Sequence, residues 1–532
     1  MGPHQQDGTD QDHDEVMCIT VDEIEPQAES INVDAKDGDL KHREKDQEKD
    51  QGKDQGEDQV EDQGKDQGKD QGKDQRKDKN DPPVVSADPA EPNYDRFPEW
   101  KKRIMVYIVA YTCFLSPMSN MAFLPAVAEI ASEFHTTGTI INVSNAVYCI
   151  FMAGAPCIWS PFSDIYGRRW TFILCALMFT VATICVVVSA NLAMFFVFRA
   201  VSALFGTACF SVGASIVGDI HPPTKRGTAM GVVLLGAQIG PTIGPVLGGI
   251  IVTYASWRYI FVMLAGLGVL SVMASFFFLP ETGGDNLRYY VLRRERGTPF
   301  VFPSFNPFRV MRCLYLPSLL LAGYSSMTVT YNMYTLLTPI RYIMDARFNL
   351  TTPLQSSLFY LPPGFGYIVG SQIGGRWADH HVKKYMRIRG QRIPEDRLRS
   401  TIIASGLVMP AAAMILGWCL DKDAGGMAMP IIALFFGGVA QTVYFPSINA
   451  YCVECVPELK GDVIGSNYFV RYISAAVGTA TTLIQIESIG VGWTCTISSF
   501  VLWTGFGSIL ALIFYGQQMR AREKSILQNW LL

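Results

Sequence analysis

The chain has 532 residues, 49% of them hydrophobic, and its charge is unevenly divided. Residues 1–100 hold 30 acidic and 13 basic residues, whereas residues 101–532 hold 18 acidic and 31 basic ones. An acidic beginning argues against nucleic-acid binding, and the start MGPHQQ lacks the apolar stretch of a cleavable signal peptide. The twelve cysteines show no disulfide or metal spacing, so we expect no metal site and no cofactor.

Residues 1–100 are predicted to be a disordered cytoplasmic tail. Within them the tetrapeptide DQGK recurs in the run QGKDQGKDQGKDQRKDKN. Such a segment has almost no apolar surface to offset the entropy lost on ordering. It could serve as a regulatory or partner-binding tail, but a solvated spacer is the simpler interpretation.

Twelve apolar runs follow Trp100, each close to the 20 or so residues that a helix needs to cross a bilayer. They cover residues 104–128, 141–162, 171–190, 193–218, 228–252, 258–279, 314–338, 355–378, 401–420, 427–452, 463–486 and 491–515. A soluble core would not supply twelve such stretches. The sequence therefore predicts a polytopic membrane protein.

Basic residues of the connecting loops fall mainly on one side of these predicted spans. With the tail in the cytoplasm, 25 Lys and Arg lie on the inner side and four on the outer side. Both termini are therefore predicted to be cytoplasmic. One outer loop contains the sequon Asn349-Leu350-Thr351, a potential glycosylation site.

Two charged stretches occupy matching places in the predicted topology. SDIYGRRW follows the second span, and GGRWADHHVKK follows the eighth. Asp164 precedes Arg168 and Arg169 by four and five residues, and Asp379 precedes Lys383 and Lys384 by the same offsets. We predict two matching turns that hold a cytoplasmic gate; the alternative is that the basic residues only obey the positive-inside bias.

The repeat predicts an all-α membrane protein with twelve transmembrane helices in two pseudo-symmetric six-helix bundles. Parallel repeats of this kind point to alternating access at their interface. The predicted regions are a tail at 1–100, bundles at 101–280 and 314–515, a cytoplasmic linker at 281–313 and a C-terminal tail at 516–532.

The charged loops resemble the signature loop of the major facilitator superfamily, and the chain is similar to its fungal twelve-span drug:proton antiporter group. Gly167 and Gly375 belong to the matching positions, whereas Ser160, Ile165 and Val382 depart from the pattern. The resemblance covers residues 100–520. It implies an exporter with the superfamily's fold, in general a monomer and by default in the plasma membrane.

The fifth span reads GVVLLGAQIGPTIGPVLGG, and its glycines recur every four residues. Such a stripe permits close approach of another helix. The stretch also resembles the superfamily's antiporter motif, whose matching residues here are Gly240, Gly244, Pro245, Gly248 and Gly249.

Charge inside a span is costly and therefore informative. Arg199 in span four and Arg471 in span eleven are charged residues within predicted spans, and no Asp, Glu or His lies mid-span. Two guanidiniums suit a carboxylate-bearing substrate. The alternative for Arg199 is an arginine satisfied by backbone carbonyls. Polar residues that could orient a ligand, or bond between helices, are Asn120, Gln238, Tyr331, Asn332, Gln372, Asn449 and Asn467.

These residues predict a secondary exporter of a small organic anion, such as itaconate or citrate, and not an enzyme. No nucleotide-binding motif is present, so the chain is not predicted to use ATP. Proton linkage is implied by the resemblance, with Glu129 and Asp219 as candidate carriers. The alternatives are a multidrug or secondary-metabolite:proton antiporter and a transporter-like nutrient sensor.

Overall fold

A helix lies at each of the twelve predicted spans in the computed structural model, which describes residues 94–283, 294, 306–456 and 459–531. In the first half, spans 1 to 6 are Glu99–Ala122, Gly138–Tyr166, Arg168–Val187, Leu192–Ile220, Pro223–Tyr254 and Arg258–Phe278. In the second half, spans 7 to 10 are Pro317–Leu337, Leu361–Arg389, Pro394–Asp421 and Ala428–Cys455. Spans 11 and 12 are the two parts of Lys460–Leu531, divided at Gly490, where φ is 83°.

Residues 1–93 of the predicted tail and most of the predicted linker lie outside the described residues. In the described part of the chain every regular element is a helix, as the sequence predicted. Nine described segments are long and apolar enough to cross a membrane, and one of them, Gly461–Glu523, contains both span 11 and span 12.

Spans 7 and 8 are not among those nine segments because they carry more polar side chains. In span 7 these side chains are turned into the protein: Ser325, Thr330 and Asn332 are all buried. A helix that lines the interior of a bundle needs less apolar surface than one that faces lipid. Its position in the bundle therefore accounts for its polarity.

The glycine stripe of span 5 lies directly against span 1. A Cβ atom added to Gly240 would lie 2.8 Å from the carbonyl oxygen of Phe114, and one added to Gly244 would lie 2.8 Å from that of Met118. One added to Gly248 would lie closer still to the carbonyl oxygen of Ala122. Helices can pack this tightly only where no side chain intervenes.

The end of the stripe also meets the second half. A Cβ atom on Gly249 would collide with Ser357 and Pro353, which lie in the short helix Pro353–Ser357 before span 8. Span 5 therefore packs against span 1 on one face and against the entry to span 8 on the other. Pro241 and Pro245 both lie inside this continuous helix.

The predicted turn in the second charged stretch is wrong. In the first stretch the helix ends at Tyr166, and Gly167 takes φ 107° and ψ 155° before span 3 begins at Arg168. In the second stretch the helix continues to Arg389, with Val382 at the place that corresponds to Gly167. A β-branched residue is strongly disfavoured at such a positive φ, so the helix does not break there.

Candidate functional site

Arg199 is buried in the first half of the protein. Its side chain is 1% exposed, and its guanidinium carbon lies 3.9 Å from the ring centre of Phe123 and 5.0 Å from that of Tyr148. Contacts of this kind stabilise a cation through the negative face of the ring. The aromatic rings therefore hold the charge in place without neutralising it.

The donors of Arg199 are only partly used. Nη2 donates to Oδ1 of Asn145 at 3.3 Å, whereas Nε and Nη1 are buried without a hydrogen-bond partner. Among the described residues no carboxylate forms an ion pair with this guanidinium. The sequence-based alternative, saturation by backbone carbonyls, is therefore not what the structure shows for these two nitrogens.

Arg471 repeats this arrangement in the second half. Its side chain is 6% exposed, and its guanidinium carbon lies 3.9 Å from the ring centre of Phe445 and 5.0 Å from that of Tyr468. Nε donates to Oγ1 of Thr330 at 3.4 Å. Both arginines therefore have a phenylalanine ring at 3.9 Å and a tyrosine ring at 5.0 Å, and Arg199 also lies within 6 Å of the ring centres of Phe195 and Phe261.

Aromatic and polar side chains join the two halves between these arginines. Asn120 of span 1 donates from Nδ2 to the hydroxyl of Tyr334 in span 7 at 2.8 Å. Phe210 of span 4 packs on Tyr468 of span 11, with ring centres 5.3 Å apart. Because Tyr468 also covers Arg471, this cationic site lies at the interface of the halves.

The other predicted ligand-orienting residues serve different contacts. Asn332 donates to Ser498 of span 12 at 2.7 Å, and Tyr331 donates to Gln485 at 3.3 Å. Asn467 donates to Asn449 at 2.9 Å, which joins spans 11 and 10. These bonds lie within the second half and match the helix–helix alternative stated above.

Two predicted glutamines have no such partner in the described structure. Gln372 is exposed on the same face of span 8 as Phe365 and Ile373, so it faces away from the interface. Gln238 is half-buried in span 5, and its Nε2 is buried without a hydrogen-bond partner. The structure therefore does not bring Gln372 together with the two arginines.

A cluster of charges closes the end of the bundle where span 2 meets span 3. Arg168 forms an ion pair with Asp164 and donates from Nε to Asp219 at 3.3 Å. Glu281 accepts from the backbone N–H groups of Arg168 at 2.9 Å and of Arg169 at 3.1 Å. A carboxylate at this position caps the first turn of span 3 and offsets its dipole.

Arg309 extends the cluster across the two halves. It donates from Nη2 to Asp164 of span 2 at 2.8 Å and from Nε to Asp462 of span 11 at 2.6 Å. Partial burial by itself lowers the pKa of the Arg309 guanidinium, but the carboxylates of Asp462 and Asp164 outweigh this and raise that pKa. The guanidinium is therefore held in its charged form between two acids.

The sequence profile of the Major Facilitator Superfamily matches residues 109–479, which is more than half of the chain. The chain belongs to this superfamily. It is therefore a transporter of small molecules embedded in a membrane and not an enzyme, as the sequence predicted.

Fungal members of the superfamily align over most of the chain. The MFS-type transporter hepF of Aspergillus oryzae is 27% identical over 451 residues, covering 82% of this chain and 93% of that protein. The efflux pump radE of Floropilus chiversii is 25% identical over 470 residues, covering 84% and 86%. These relatives agree with the fungal drug-type group that the sequence resembles.

A solved structure shows the same fold. The human organic anion transporter MFSD10 (TETRAN) matches with a TM-score of 0.52 and 17% identity, covering 78% of this chain and all of that one. At this identity the likeness concerns the fold alone. It confirms the all-α architecture of the superfamily.

The second copy of the superfamily's charged loop does not form a cluster like the first. Gly375, Asp379, Lys383 and Lys384 are all exposed, and within the described residues none of the three charged side chains is in an ion pair. Acids at the start of span 9 and at the end of span 10 form ion pairs in the second half instead. The pairs are Arg389–Asp396, Arg392–Glu454, Arg397–Glu454, Arg399–Asp396 and Arg520–Glu395.

The remaining predicted residues lie toward the ends of the spans. Glu129 is exposed in the short helix Val127–Glu133 at the opposite end of span 1 from the charged cluster, near Arg341 of the second half. Asp219 lies in the charged cluster, where Thr282 also donates to it at 3.4 Å. Asn349 is exposed in a left-handed conformation with φ 50°.

Sequence reasoning missed several residues of the site. Asp462 lies one residue before the predicted start of span 11, and a search for acids in the middle of spans passes over it. The signal that could have identified Asp462 was an acidic residue directly beside an apolar run, in the segment GDVIG. Tyr334 and Phe445 carried no signal of their own, because the spans contain many aromatic residues.

Proposed function

We propose that the chain is a secondary active exporter of a small organic anion. The cargo is a dicarboxylate, a tricarboxylate such as itaconate or citrate, or a related acidic metabolite. One observation carries this proposal: Arg199 and Arg471 are buried cations, each covered by aromatic rings, and no carboxylate among the described residues forms an ion pair with either.

A buried charge without a counter-ion is unfavourable, and a ligand that supplies the counter-ion removes that cost. The Nε and Nη1 donors of Arg199 are buried without a partner, and a negatively charged ligand would supply acceptors for them. A cationic drug would add a second positive charge beside the first. The electrostatics of the site therefore favour an acidic cargo.

Alternating access would use the ion pairs at the closed end. In this state Arg309 ties the two halves together, while Asp164, Gly167, Arg168 and Arg169 hold the turn between spans 2 and 3. We propose that rocking of the halves breaks the contacts of Arg309. The glycine stripe of span 5, as the antiporter motif, keeps spans 1 and 5 together during this movement.

We further propose proton linkage, with Glu129 and Asp219 as candidate carriers. The tail, both termini and the charged cluster would face the cytoplasm, and the protein would act as a monomer in the plasma membrane. Glycosylation of Asn349 on the outer side is part of the same topology.

A second function is export of secondary metabolites or drugs by proton antiport. The observation that favours it is the name of the relative radE, an efflux pump. Acidic secondary metabolites would satisfy both proposals. A neutral or cationic cargo would satisfy only the second.

Uptake into inside-out membrane vesicles tests the proposal. We expect labelled itaconate or citrate to be accumulated by the parent protein. We expect a loss of about 10- to 150-fold for Arg199→Gln, because each charged hydrogen bond contributes roughly 1.5–3 kcal/mol. Arg312→Gln, which removes an exposed guanidinium near the closed end, is the matched control. Unchanged acid uptake by Arg199→Gln, together with uptake of cationic drugs, would overturn the anionic assignment.

A further inference from the structure

The second charged stretch forms no ion pair with the first within the described residues, and its surroundings suggest a further role. It lies on the last part of span 8, which runs eleven residues past the predicted end at 378 and stops at Arg389. At 1.5 Å per residue this extension is about 16 Å long. It therefore reaches beyond the hydrocarbon core into the layer of lipid headgroups.

One face of span 8 changes character along its length. In the part before Arg376 large apolar side chains are exposed, with Phe365 58% and Ile373 50% exposed, and Gln372 is exposed beside them. Further along the same face the exposed side chains recur every three to four residues and are those of Arg376, His380, Lys383 and Arg387. This spacing places them in one stripe on the surface of a helix.

The position of Trp377 marks the boundary between these two parts. Its side chain is 41% exposed and packs against His381 with ring centres 4.9 Å apart. Tryptophan is enriched where hydrocarbon meets headgroups. Lys383 and Lys384 lie about 10 Å further along the helix, within reach of phosphate groups because their side chains can bend toward the membrane.

The basic residues of this stripe are free, unlike their neighbours. Arg376, Lys383, Lys384 and Arg387 have no ion pair or hydrogen bond in the described part of the chain. Asp379 is the acid beside them, and it is exposed as well. The positive-inside bias explains the presence of these charges, but not why these four lack acidic partners when five other basic residues of the second half are paired.

We propose that the basic residues Arg376, Lys383 and Arg387 of this stripe, together with the adjacent Lys384, bind the phosphate headgroups of anionic phospholipids. The part of this face with Phe365 and Ile373, which would contact lipid chains, continues into the basic part, which would contact the headgroups of the same lipids. Four cations against one acid give the charge complementarity, and the membrane beside the helix supplies the partner. In the orientation proposed above, these lipids belong to the cytoplasmic leaflet.

Spin-labelled lipids test this in bilayers that contain the full chain. Electron paramagnetic resonance would compare the immobilised fractions of labelled phosphatidylserine and phosphatidylcholine. We expect the parent to prefer phosphatidylserine, and we expect the triple variant K383Q/K384Q/R387Q to reduce the binding constant of these sites about fivefold per charge. High salt should have the same effect as the variant.

Two control proteins keep the test specific. K383R/K384R retains the charge and should keep the lipid preference, whereas Lys422→Gln removes an exposed lysine on the other side of the bundle and should change nothing. Thermal unfolding identifies any variant that fails to fold. An equal preference for phosphatidylserine in the parent and in the folded triple variant would overturn the proposal.

Discussion

The guanidinium of Arg309 lies 2.8 Å from the carboxylate of Asp164, and this contact joins the two halves of the transporter. The same guanidinium also holds Asp462, whose side chain is 1% exposed. An arginine shared by two acids on different spans can act as a latch. When the halves separate, Asp164 and Asp462 cannot both remain within its reach.

Removal of the Arg309 guanidinium should open the end of the bundle where it joins Asp164 and Asp462. For Arg309→Gln we expect the closed state to lose roughly 1–3 kcal/mol, about 5- to 150-fold in population, because Asp462 is left buried without its cation. Distances between spin labels at the ends of spans 2 and 11, from double electron–electron resonance, measure this. Arg312→Gln, three residues away and exposed, should leave the distance distribution unchanged.

The two copies of the charged stretch should differ in their effect on transport. Asp164→Asn removes the partner of both Arg168 and Arg309, so we expect at least a tenfold loss of transport rate. Asp379→Asn removes an exposed carboxylate without an ion pair in the described structure, and we expect a change of less than about twofold. Vesicle uptake of the proposed substrate measures both. Equal losses would mean that the second copy takes part in gating after all.

The hydrogen bond between Asn120 and Tyr334 should stabilise the closed interface. Tyr334→Phe leaves the amide of Asn120 buried without this acceptor, at a cost of about 1–3 kcal/mol. We therefore expect a smaller population of the closed state in the double electron–electron resonance experiment described for Arg309→Gln. The matched control is Tyr331→Phe, because the hydroxyl of Tyr331 bonds to Gln485 inside one half. A shift of the same size for both variants would contradict a special role of the contact between halves.

Alanine in the glycine stripe should separate spans 1 and 5. A Cβ atom at Gly248 collides with the backbone of Ala122, so we expect Gly248→Ala to destabilise the protein by about 1–3 kcal/mol. Gly231→Ala, in the same helix with open space at the Cβ position, should be neutral or stabilise it by up to about 1 kcal/mol. Thermal unfolding in detergent distinguishes these outcomes, and equal melting temperatures would contradict tight packing at Gly248.

Part of the site could be predicted from sequence because its signals are local. Arg199 and Arg471 stand out since a charge within an apolar run is rare and costly. Close packing along the stripe of Gly240, Gly244 and Gly248 follows from a spacing of four residues on a helix. The absence of a turn in the second charged stretch could also have been predicted locally, since Val382 stands where Gly167 stands in the first copy.

Pairs formed across the fold could not be predicted in this way. Asn120 and Tyr334 are 214 residues apart, and Arg309 and Asp164 are 145 residues apart. Each partner alone resembles many other polar residues at the end or in the interior of a span. Only the packing of the two halves selects which of them meet.

The amino-acid sequence by itself determined the membrane-spanning helices, their repeat and the two buried cations, since hydropathy and helical spacing act within a single segment. The tertiary structure alone decided that aromatic rings cover both arginines, that Arg309 joins the halves and that the second charged stretch faces outward. The physical reason is the range of the forces involved: insertion of a helix into a bilayer depends on its own residues, whereas an ion pair depends on where another helix places its partner.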